Sequence, residues 1–171
     1  GAEARRRAIP CRTAGVMHPR RERGIIVRND GHCRPGENDA MPRIEGEFEI
    51  VRALQPNLDL GGGLQAMHVR FEKRFRGPLD ATSVVQMMGF MTATEGSGAY
   101  VAIERIAGTL DGREGAFVVH HTGRMDRGEP QLRIGVVPDS GSEGLTGLRG
   151  EMAIEIVEGR HRYTFEYELP N

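Results

Sequence analysis

The chain of 171 residues has no tryptophan, three tyrosines, and a single lysine, Lys73, against twenty-two arginines. Its two cysteines, Cys11 and Cys33, both lie in the first forty residues, which excludes a disulfide framework for the remainder. No apolar run approaches the roughly 18 residues of a helical membrane span, and no signal-peptide core precedes the regular part of the sequence. The expected compartment is therefore cytoplasmic, with no membrane partner. A net charge of one sign is missing too, because the total is −1. That total hides an asymmetry: nine arginines face five acidic residues in 1–40, and fourteen basic groups face nineteen acidic ones in 41–171. A body with that balance is a poor general binder of phosphate backbones, so no nucleic-acid partner is expected.

Several chemical signatures are absent as well. Cys11, His18, His32 and Cys33 lack the spacing of a zinc site. His120 and His121 are adjacent, so on a strand their rings point to opposite faces and cannot share a metal. "LGGGL" lacks the Lys-Ser/Thr and helix of a phosphate loop, and "DSGSEG" lacks the strand–elbow–helix context of a hydrolase serine. Neither a metal nor a cofactor is called for.

What the sequence does contain is glycine, 24 residues of it, and many short β-branched arms. Residues 1–40 show almost no periodicity; they read as a disordered tail, a lid over the domain, or a stretch preceding a natural start at Met41. From residue 41 to 171 the pattern is regular. Alternating arms cover about 44–54, 64–75, 81–92, 99–109, 115–122, 131–137, 150–157 and 162–169. Stretches rich in turn formers separate them, among them "PNLDLGGG", "LDGREG" and "PDSGSEGLTGLRG". Eight short strands without an amphipathic helix predict an all-β fold, an antiparallel barrel or sandwich, and of the two an eight-stranded antiparallel barrel also leaves no exposed edges.

Turn chemistry then sets registers. A type I′ turn at Asp111-Gly112 places Glu104 opposite Val119, Ala102 opposite His121, Ile106 opposite Phe117 and Tyr100 opposite Gly123, all on one face. That face is the more apolar, so Glu104 and His121 are expected inside, about 7–8 Å apart as diagonal neighbours and within reach of long side chains. Arg105 and His120 are expected outside. At the last hairpin, a turn with Gly159 first and Arg160 second places Ile156 opposite Tyr163, Ile154 opposite Phe165 and Met152 opposite Tyr167.

An interior carboxylate needs a partner, and two readings of Glu104 and His121 remain open: a satisfied structural pair, or a catalytic or ligand-orienting acid–base couple. In "MHVRFEKRF" Lys73 falls on the apolar face near the strand end. It is expected either to snorkel out at the rim or to meet a ligand carboxylate at the mouth. The strand "ATSVVQMMGFMT" is apolar on both sides, which leaves the direction of Gln86 open and suggests that a second subunit covers the outer wall. Tyr100, Lys73, Gln86, Phe117 and Tyr163 are the candidate ligand-binding residues.

"VRFEKRFRGPLDATS", "GAYVAIERIAGTLDGREGAFVVHHTG", "VVPDSGSEGLTGLRGEMAIEI" and "HRYTFEYEL" together resemble the bacterial family called domain of unknown function 3224. The resemblance spans about residues 44–169. It implies a barrel like that of allene oxide cyclase and brings no established activity. Two positions depart from the family pattern: Gln86 stands where Glu is expected, and His120 where Gln is expected. Similar barrels serve cofactor-free cyclases, including bacterial enzymes that close spiro rings in polyketides, a likeness of fold alone. Three functional expectations follow. The first is a binder of a small hydrophobic molecule; the second is a cofactor-independent cyclase or isomerase; the third is a homo-oligomerisation module with a solid interior. Barrels of eight strands fall between filled and hollow, so strand number does not choose among them.

Overall fold

A computed structural model describes residues 41–170; the expectations for the first forty residues, including the four metal-ligand types there, lie outside the described residues. Eight strands form in chain order: β1 (Arg43–Gly61), β2 (Leu64–Arg76), β3 (Leu79–Met91), β4 (Gly98–Leu110), β5 (Arg113–Asp126), β6 (Glu129–Val136), β7 (Arg149–Val157) and β8 (Arg160–Glu168). Each pairs antiparallel with the next, and β8 pairs back onto β1. The result is the closed barrel that the alternating pattern predicts. Among the described residues no helix is long and apolar enough to cross a membrane.

The β4–β5 hairpin forms as turn chemistry requires. Asp111 and Gly112 both have positive φ (47° and 79°), and the expected pairs Glu104–Val119, Ala102–His121, Ile106–Phe117 and Tyr100–Gly123 are all present. The β7–β8 hairpin differs from its expectation. Its turn is Glu158-Gly159, with φ of 51° and 77°, so Ile156 faces His161, Ile154 faces Tyr163, Met152 faces Phe165 and Gly150 faces Tyr167. A non-glycine residue resists positive φ, yet nine consecutive ladder pairs hold Glu158 there. Because each pairing moves by two residues, every side chain keeps its expected face. A second difference lies in β1, which runs through "PNLDLG" instead of turning there; the ladder breaks between Gln55 and Leu58, where Pro56 has no N–H to donate.

One end of the barrel is solid. Phe117 stacks on Phe165 with centroids 5.8 Å apart, and Phe165 stacks on Tyr167 at 5.3 Å. The β6–β7 connection, expected as a plain loop, plugs this end. A short 3-10 turn (Glu143–Leu145) drives Leu145 and Leu148 into the core. Ser140 and Ser142 fasten the plug: the Val118 and Ala116 N–H groups donate to their hydroxyls at 3.1 Å each. The price of this detour is a short seam, for β6 and β7 pair only at Ile134–Met152 and Gly135–Glu151.

Candidate functional site

Strand alternation sends Lys73 of β2, Ser83 of β3, Glu104 of β4 and His121 of β5 into the lumen, on four consecutive strands. Glu104 is fully buried and lies at the centre. Its Oε2 accepts from Lys73 Nζ at 2.8 Å and from His121 Nε2 at 2.8 Å, while Oε1 accepts from the Ser83 hydroxyl. Burial alone would raise the Glu104 carboxyl, but the His121 hydrogen bond, the Lys73 charge and the remaining donors outweigh it and hold it below the usual carboxylate range. The carboxylate is therefore ionised at neutral pH.

Lys73 does not snorkel: it is only 7% exposed, and its ammonium donates to Glu104. The faces of Phe48 and Phe75, with centroids 5.0 and 5.7 Å from Nζ, add cation–π attraction that makes burial tolerable.

Next to the cluster is a partly open cavity of about 250 Å³, lined by Lys73, His121 and Tyr100 together with apolar side chains that include Ile50, Val85 and Leu132. Toward the open end a second space of about 280 Å³ shares Met87, Tyr100 and Leu132 with the first. Met67, Met87, Met91 and Met125 line it, and unbranched thioethers adapt to irregular shapes. The first cavity alone falls short of the roughly 300 Å³ typical of ligand pockets, and the second space lies beside it across the shared Met87, Tyr100 and Leu132. Tyr100 is half-buried, and burial raises its phenol above the ordinary value. Its ring lies over Gly123, the one residue type that leaves space there: a Cβ at Gly123 would be 2.0 Å from the ring.

Four candidate residues thus gather at the lumen: Glu104, His121, Lys73 and Tyr100. The other three lie elsewhere. Phe117 belongs to the solid end. Tyr163 is buried there too, its hydroxyl accepting from Leu79 N–H at 3.2 Å and donating to the Arg76 carbonyl at 3.3 Å. Gln86 points outward and bonds to His68 Nε2 at 2.9 Å, outside the lumen, because β3 alternates strictly from Ala81 inward. His120 is exposed on the outer face as expected. Ser83 and His161 were missed. Ser83 was hidden in a strand that read as apolar on both sides, although pairing with Lys73 on β2 gives it away. His161 lines the inner cavity and packs on Phe48 at 5.1 Å; the different β7–β8 register accounts for its place opposite Ile156.

Fold and site together define a small closed barrel with one packed end, one open end, and an ion-paired cluster in the lumen wall. The chain belongs to the family described as protein of unknown function DUF3224, whose family model matches residues 44–167. A solved structure of a DUF3224 protein of unknown function from Shewanella oneidensis MR-1 is 39% identical, with a TM-score of 0.71. The match covers 77% of this chain and 99% of that one. No curated protein matches the sequence.

Proposed function

We propose that the barrel binds a small, largely apolar molecule in its lumen, between the methionine-lined mouth and the Glu104–Lys73–His121 cluster. The observation that carries this reading is a buried ion pair beside unfilled apolar space. A barrel built only for stability gains more from packing such a site with apolar side chains. A second copy of the chain on the outer wall of β3 and β4 belongs to the same reading, since Val84, Met88, Val101 and Ile103 are all exposed there.

The uncharged dye N-phenyl-1-naphthylamine tests the lumen. Its fluorescence should rise with the wild-type protein and stay low with Met87→Trp, which places an indole at a residue lining both spaces. Equal enhancement by both proteins would place the dye elsewhere and count against the proposal.

One observation favours the cyclase or isomerase as a second reading. Glu104 orients the His121 ring beside the cavity, the arrangement of an acid–base couple. Holding a flexible substrate in a reactive conformer can supply about 7–11 kcal/mol in the best-oriented cases, so few polar groups would be needed. Glu104→Gln with binding intact and turnover lost is the expected outcome for an enzyme.

A further inference from the structure

The hydrogen bonds of the lumen cluster restrict the head group that a ligand can bring, and this inference rests on the lumen reading above. Glu104 has spent both oxygens on Ser83, Lys73 and His121. A carboxylate can only accept, so a His121 ring carrying one hydrogen holds it on Nε2 and keeps the lone pair on Nδ1. Among the described residues Nδ1 has no hydrogen-bond partner, and it is not among the fully buried polar atoms. The ring lines the cavity. An acceptor is therefore available at the wall of a largely apolar space.

Charge sharpens the choice. Glu104 and Lys73 cancel each other at 2.8 Å, leaving no spare positive charge in the pair. A ligand carboxylate against His121 would meet the Glu104 charge in dry surroundings, where repulsion is poorly screened. An ether or hydrocarbon would strip water from Nδ1 and return nothing. A hydroxyl avoids both costs, because it is uncharged and can donate to Nδ1. We propose that the lumen selects an uncharged alcohol, enol or phenol whose hydroxyl donates its hydrogen to His121 Nδ1.

Three probes of similar size test this on the full-length protein by calorimetry at neutral pH: 2-naphthol, 2-methoxynaphthalene and 2-naphthoate. The expected order is 2-naphthol about tenfold tighter than the ether, the worth of one good hydrogen bond, with the carboxylate weakest. In His121→Phe the preference for 2-naphthol over the ether should vanish. In His121→Gln it should partly return, because an amide can donate to Glu104 and still accept from the ligand. Equal wild-type affinities for 2-naphthol and the ether, both abolished by Met87→Trp, would refute the head-group assignment and leave the lumen reading standing. Tightest binding by 2-naphthoate would overturn it in favour of Lys73 acting as a free cation. Failure of all three probes to bind would sink the lumen reading and this inference with it.

Discussion

Replacing Glu104 with Gln keeps the shape of the cluster and strands a buried ammonium. Breaking a buried pair from one side costs about 3–5 kcal/mol, so Glu104→Gln should lower stability by that amount in urea melts. The double variant Glu104→Gln/Lys73→Met should recover much of the loss, since it removes both charges. The same cluster sets an acid limit. A carboxyl held below its ordinary value of 4.5 contributes stability above that value and loses it as pH falls through the lower, folded-state one. Wild-type stability should therefore decline from about pH 4.5 downward, with this contribution absent in the double variant. At Gly123 the expected effect is steric: Gly123→Ala should push the Tyr100 ring into the cavity, cost about 1–3 kcal/mol, and weaken binding of the dye. The Glu104–His121 encounter was legible from one turn and a two-residue period. The Lys73 contact was not, because it reaches across β3 and depends on barrel curvature that no single hairpin encodes.

Strands were the most readable elements, since alternation reports burial of one face directly. Asp-Gly at 111–112 names its own turn. "VEGRH" does not, because Gly159 can occupy either central position, and only the finished ladder selects Glu158-Gly159. Glu158→Asn should stabilise the hairpin by a few tenths of a kcal/mol, up to about 1, since Asn tolerates positive φ better. A thermal melt measures this. The plug between β6 and β7 was illegible for a different reason: "SGSEGLTGL" has no period, and its two leucines gain meaning only where the barrel needs a stopper. Leu148→Ala should cost about 2–5 kcal/mol, the range for a buried leucine, and open the packed end.

At the scale of the whole molecule, closure leaves the outer wall as the surface most free to take a partner. Val101 and Ile103 are 50% and 54% exposed on the outer face of β4. If a second copy covers them, Val101→Glu/Ile103→Glu should shift sedimentation toward monomer while leaving the dye-binding lumen intact. The lone pairing of Ile134 and Gly135 with Met152 and Glu151 bears on a separate matter, the traffic of molecules through the wall. Six of the eight neighbouring strand pairs are long ladders, whereas this junction has two rungs and Leu132 and Ile154 beside it, both of which also border the lumen. Deuterium should enter the amides facing that gap well before the rest, because opening there leaves the other ladders untouched. Such a slit would give a guest a second way in and out beside the mouth, and a cross-link between β6 and β7 should slow exchange by that route alone.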